Sequence, residues 1–478
     1  MRNHRLALVA VTASAAVVMA SPAWAATATA PVLTTGVSPF DDCTADDVEA
    51  QDGIVYPDSE VEPFIDVSDV DRNGDGDLDR VGAYQQDRWD NGASRGVVTS
   101  VWFDGTWVQR LLPGTSACTG GTHLRATDPW VTITPSGTVF VQSLATSAGN
   151  DSAILVNRSE DGGLTWEDAV AVIDEDDPFN FNDKNSITAD PTRDGYVYQI
   201  WDRSRFPSDR RSPNSVFSRA LRSDAYFTRT TDNGETWDEP HAILAPQANR
   251  FGIGHQIAVL PDGTLVDVFM WFQGSGANKK GQDIAVIRST DAGETWSEPI
   301  VVSAAMPGFI ADPTTGAPVR TGDIIPDIGV GPDGAVFVVW QDSRFGTGGS
   351  AIVLSSSTDA GLTWSEPAVV NGDPSVQAFT SSVEVNDDGV VGVTYYDFRF
   401  DTADTDVLQT DFWFTDVGTG EEVRLTPSSF DMDEAPVARG YFVGDYEGLT
   451  TTGDTFASFF SATADPDPAN VYYVEIEP

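Results

Sequence analysis

The sequence predicts an all-β chain built from repeated antiparallel units, and three observations predict it. An eight-residue phrase occurs four times, at 159–166, 230–237, 289–296 and 357–364. Strand-length apolar runs alternate with Gly-centred turns along most of the chain. Three of the four phrases run on into Glu-Pro, at Glu239-Pro240, Glu298-Pro299 and Glu366-Pro367. A phrase restated at intervals means a repeated structural unit.

Each position of the phrase has a physical task. The carboxylates of Asp161, Asp232, Asp291 and Asp359 can accept free backbone N–H groups of a turn. Gly163, Gly234, Gly293 and Gly361 can take the positive φ a tight turn demands, and Trp166, Trp237, Trp296 and Trp364 leave the turn as apolar plugs. Proline cannot donate to a sheet, so the strand after each phrase is expected at an edge.

The phrase resembles the Asp-box (BNR) repeat of the sialidase-like β-propellers, where it forms the turn between the third and fourth strands of a blade. The resemblance implies a β-propeller of four-stranded blades, with the box as a folding element far from the catalytic face.

In chain order, 1–25 reads as a secretory signal: Arg2 and Arg5, an apolar run from Leu6 to Met19, then Ala23-Trp24-Ala25 as cleavage site. The remainder is expected to be soluble and extracellular, with no membrane span. The formal charge of −46 disfavours nucleic acid and anionic membranes as partners. Lysine occurs only at 184, 279 and 280, so nearly all positive charge is guanidinium, suited to bidentate carboxylate binding. Cys43 and Cys118 most simply form one disulfide in an exported protein.

Residues 26–59 lack periodicity and read as an arm or linker; 60–478 reads as a single propeller domain. Hairpins recur at 129–144, 256–272, 325–341 and 382–396, each around a Gly turn. Counting them gives seven blades, starting near Glu62, Asp128, Asp183, His255, Ile325, Phe379 and Val443; six is the alternative if an end unit is irregular. The first and sixth carry degenerate boxes around Asp104-Gly105 and Asp416–Gly420. The last is one strand short, and a strand from the N-terminal arm would complete it and close the ring.

The first hairpin turn is different. Asp69, Asp71, Asn73, Asp75, Asp77 and Asp79 alternate around Gly74 and Gly76, a spacing that lets successive oxygens face one hard cation. The run resembles an EF-hand-like calcium loop in either of two registers, and structural Ca²⁺ is expected there. Arg80 stands where a full EF-hand has its bidentate Glu, which excludes an ordinary hand. No organic cofactor is expected.

In a propeller the starts of first strands and the ends of second strands converge on one mouth. Second strands here end in Asp87-Arg88, Asp202-Arg203, Asp342-Ser343-Arg344 and Asp397-Phe398-Arg399. First strands contribute Asp128, Asp183-Lys184, His255, Asp327, and the run from Arg439 to Glu447. The alternative reading of each Asp-Arg pair is a salt bridge pinning blades.

What the sialidase resemblance implies is a retaining exo-sialidase acting on terminal acidic sugars as a monomer. An arginine cluster (Arg203, Arg344, Arg399, with Arg439) would grip a carboxylate. Tyr446, or else Tyr396, would be the nucleophile, with Glu447 beside Tyr446; Asp87 or Asp202 would be acid/base. The family's Arg-Ile-Pro motif is absent near the first blade. A non-catalytic propeller binding glycan or protein is the second class.

Overall fold

The computed structural model describes residues 26–147, 151–206, 222–246, 250–274, 281–403 and 406–478, so residues 1–25, expected to be a signal, lie outside the described residues. Strand pairing groups these residues into seven successive antiparallel meanders. Their innermost strands are Val55–Val67, Arg125–Ile133, Asn180–Ala189, Arg250–Val259, Asp327–Val330, Ala378–Val385 and Gly448–Thr452. Each touches the next, and the last touches the first. The meanders are the blades of a β-propeller.

The core follows from that arrangement as a succession of layers between blades. Val81 and Val97 of the first blade pack on Val131 and Val141 of the second; Phe140 packs on Ile187 and Val197 of the third. Further round, Tyr198 and Phe227 meet Ile257 and Leu265, and Val266 meets Val336 and Val338. Val339 then meets Val383 and Val393, and Phe412 and Phe414 meet Phe456 and Phe460. Phe459 and Tyr473 of the last blade return to Tyr84 and Val98 of the first. Burying both faces of every blade is what makes a repeated unit stable only in company.

The four repeated turns supply part of this packing. Asp161 accepts from the Thr165 backbone N–H (2.9 Å) and hydroxyl (2.6 Å), while Ser159 Oγ accepts from Gly163 N–H (2.9 Å). The other three turns repeat the Asp-Thr pattern. Gly234 has φ of 85°, and a Cβ there would lie 2.5 Å from Phe140 of the preceding blade, so both the backbone and the close approach require glycine. The strands after the Glu-Pro pairs are outermost and short, such as His241–Leu244 and Ala368–Val369.

Residues 26–59 are more than a linker. Thr27–Ala28 and Val32–Leu33 pair antiparallel with Asp467–Glu477 and form the outer edge of the last blade. Phe40 is buried against the first blade's core, and the Cys43–Cys118 disulfide fastens the segment. The first inner strand starts at Val55, ahead of the expected Glu62.

A bulge explains that offset. Five inner strands shift register at equivalent places, between Val61 and Phe64, Thr127 and Trp130, Asp183 and Ser186, Ile253 and Gln256, and Phe379 and Ser382. Glu62, Asp128, Lys184, Gly254 and Thr380 sit in those bulges with φ between 48° and 70°. The extra residue breaks the two-residue alternation, so a polar residue inside the strand looks like its beginning.

Candidate functional site

Three bulges carry charged side chains, and these meet at one end of the central channel. Lys184 Nζ lies 2.6 Å from Asp445 Oδ2 and 3.9 Å from Asp128 Oδ2. Arg320 binds the same Asp445 through Nε (3.1 Å to Oδ1) and through its terminal nitrogen. Glu62 Oε1 accepts from the Asp445 backbone N–H at 3.3 Å. The guanidinium groups of Arg320 and Arg88 stand over the Phe442 ring, 4.2 and 4.9 Å from its centre.

Two connections between blades bring in Arg320 and Asp445. Pro318–Val319 belongs to a small hairpin with Ile310–Ala311, and Tyr441 is bridged to Val319; Arg320 N–H donates to Tyr441 O and Tyr441 N–H to Pro318 O. A Cβ at Gly322 would lie 1.7 Å from Asp445 O, so that turn is pressed directly onto the site.

The electrostatics separate the carboxyls. Burial, with Asp128 and Asp445 nearby, pushes Glu62 from 4.5 up to about 8. Burial also works against charge on Asp445, but Arg320 and Lys184 hold it well below the carboxylate range. Asp323 is raised to about 6 by burial and by Asp445. Arg439 is exposed, and the charge of Arg320, ahead of partial burial, lowers its pKa. Oδ2 of Asp128 and Oε2 of Glu62 are buried without a hydrogen-bond partner.

Beneath the mouth lies a cavity of about 10 Å³, lined among others by Phe64, Trp130, Asp327 and Tyr446. Tyr446 packs on Trp130 (5.2 Å between rings) and donates its hydroxyl to Pro129 O at 2.9 Å.

Most of the expected site residues lie elsewhere. Arg203 is tied to Glu175 of the preceding blade (2.7 Å from Nε) and to Tyr226; Arg344 to Asp342 (2.6 Å); Arg399 to Asp397 (2.6 Å) and Glu422 (2.9 Å). These three are pinned by local acids and form no cluster. Tyr446 and Glu447 diverge, because successive residues face opposite ways: Glu447 turns to Ser461 N–H (2.9 Å) and to Tyr396, itself bonded to Ser461 O.

Asp87 is wholly buried and locks the N-terminal arm, accepting from Ser38 Oγ (2.8 Å) and Asp58 N–H (3.0 Å). Asp202 belongs to a buried network in which His255 Nδ1 meets Asp267 at 2.7 Å and His255 Nε2 lies 3.6 Å from Asp202; burial raises Asp202 to about 8. Of the proposed arginines only Arg439 joins the mouth. Glu62 and Arg320 were not anticipated: Glu62 is masked by its bulge, and Arg320 lies in a connection with no repeat pattern.

The acidic loop joins the first two strands, as its spacing suggests. Asp71 accepts from Gly74 and Gly76 N–H (2.6 and 3.0 Å), Asn73 from Asp75, Asp75 from Asp77, and Asp79 from Arg72 and Asn73; Asp69 is exposed. The donor set is all oxygen, which fits a hard cation such as Ca²⁺. Its carboxylates do not gather within 4.8 Å in threes, a spacing found among the described residues only at Cys43, Asp46 and Cys118 and at His123, Asp151 and Asp174.

Residues 221–397 match the BNR repeat-like domain. That stretch carries a BNR repeat-like domain. No curated protein sequence matches the chain. Among solved structures the chain is similar to the Hadza microbial sialidase Hz136, at 18% identity and a TM-score of 0.49 over 81% of this chain and 74% of that one. It is similar to the Penicillium chrysogenum α-L-arabinanase at 14% and 0.48, over 78% of this chain and 94% of that one. The Fusarium graminearum α-L-arabinofuranosidase Arb93A stands at 13% and 0.45, over 89% and 96%.

Proposed function

We propose that this β-propeller is a secreted glycoside hydrolase of exo-sialidase type that takes a terminal acidic sugar at the channel mouth. The observation that supports the reading is the exposed Arg439 beside Arg320, two guanidinium groups whose mutual repulsion a substrate carboxylate would relieve. Glu62, protonated near neutrality, is the candidate proton donor, and Asp128, with one carboxylate oxygen lacking a hydrogen bond, the candidate base. The buried, bonded Tyr446 argues against a tyrosine nucleophile in this arrangement.

That same commitment of Tyr446, with the complete burial of Glu62, favours the second reading, a propeller that binds acidic glycans without turnover. Release of 4-methylumbelliferone from its α-sialoside, beside a neutral arabinofuranoside control and calorimetric binding of sialic acid, tests both. Sialoside turnover lost in Arg439→Ala and retained in Tyr446→Phe is the expected result. Binding without turnover establishes the second reading, and absence of both overturns the acidic-sugar assignment.

A further inference from the structure

Away from the channel, the second blade brings one histidine and two carboxylates together. His123 precedes the strand Arg125–Ile133, Asp151 directly precedes the strand Ser152–Ser159, and Asp174 lies on the outer strand Val170–Glu175. His123 Nε2 is 3.6 Å from Asp151 Oδ1 and 3.6 Å from Asp174 Oδ1. The imidazole is 7% exposed, whereas the carboxylates are 44% and 59% exposed.

The backbone holds all three in place. Leu124 N–H donates to Ser147 Oγ, Asp151 O accepts from Thr146 Oγ1 at 2.8 Å, and Asp174 stands in register with Ala153. The other ring nitrogen, Nδ1, is 3.3 Å from Thr122 Oγ1. With Nδ1–H donating to that hydroxyl, Nε2 presents a lone pair toward the two carboxylates and stands beyond hydrogen-bond distance of both. Three such acceptors facing one point make the donor set of a cation site. Zinc bonds of about 2.0–2.2 Å place tetrahedral donors roughly 3.4 Å apart, close to the spacing seen.

We propose that His123, Asp151 and Asp174 form a binding site for a divalent transition metal, Zn²⁺ being the probe, with Thr122 orienting the imidazole and a fourth position open to solvent. A borderline-soft ion suits a mixed imidazole and carboxylate set, whereas Ca²⁺ takes oxygen alone.

The test is calorimetric titration of Zn²⁺ into the metal-stripped full chain with Ca²⁺ in excess. A single Zn²⁺ per chain is expected. His123→Gln and the exposed Asp174→Asn should each weaken it by at least about tenfold, the smallest effect of losing even an outer-shell partner. His241→Ala, at an exposed histidine outside the cluster, should leave it unchanged. Absence of Zn²⁺ binding, or binding that neither His123→Gln nor Asp174→Asn alters, overturns the proposal and leaves these groups as an ordinary ion pair.

Discussion

Lys184 Nζ and Asp445 Oδ2 stand 2.6 Å apart although 261 residues separate them in the chain. One comes from a bulge in the third blade and the other from the connection entering the last blade, so this contact joins opposite stretches of the sequence across the channel mouth. Arg320 and Asp128 complete the cluster, in which each buried charge depends on a neighbour for compensation.

Removing the ammonium therefore costs more than one hydrogen bond. Lys184→Met should destabilise the fold by about 3–5 kcal/mol, the range for leaving a buried charge without its partner. Urea unfolding measures it. Lys184→Arg should recover part of the loss, and a Lys184→Met midpoint equal to wild type would show that Arg320 alone satisfies Asp445.

Glu62 predicts a pH dependence of stability. Its folded pKa of about 8 exceeds the ordinary 4.5, so between those values the folded chain holds a proton that the unfolded chain has lost. The Glu62 contribution is fully present below about 4.5 and is lost as pH rises through 8. Thermal midpoints across that window should fall less steeply in Glu62→Gln than in wild type; parallel profiles would contradict the assignment.

Asp161 closes its turn with three hydrogen bonds, from Thr165 N–H, Thr165 Oγ1 and Ser159 Oγ. Asp161→Ala should cost about 1–3 kcal/mol, as expected when turn donors lose their acceptor. Carbohydrate turnover, if measured in the folded variant, should be unchanged, because the turn lies at the opposite end of the blade from the mouth.

The Cys43–Cys118 disulfide closes a loop of sequence separation 75. The chain-entropy relation assigns a loop of this length about 4.5 kcal/mol. The Cys43→Ser, Cys118→Ser double variant should unfold at correspondingly lower denaturant, and the N-terminal arm should become the first site of proteolysis.

For the 71–79 loop we propose bound Ca²⁺, held by Asp71, Asn73, Asp75 and Asp79. Chelation should lower the thermal midpoint of wild type and leave an Asp71→Asn, Asp75→Asn variant nearly unmoved. Equal sensitivity to chelator in both would place the calcium effect elsewhere.

Much of the fold was legible because it is written locally. Asp161, Gly163 and Trp166 act within one turn, and the Glu-Pro pairs mark edge strands through a donor that proline lacks. The missing strand of the last blade was also legible, since an unpaired edge needs covering. The site was less so. Asp87, Asp202, Arg203, Arg344 and Arg399 carry the residue types of a sugar site, yet each is consumed by a partner nearby in the fold.

The sequence by itself determined the repeated unit, its turns, its edges and the acidic first loop, because those depend on interactions within a few residues. Only the tertiary structure decided which charges share the mouth. Bulges at Glu62, Asp128 and Lys184 redirect side chains against the two-residue alternation, and ring closure carries Asp445 and Arg320 to them from distant connections. Which charges meet depends on backbone register and on long-range proximity, and residue spacing records neither.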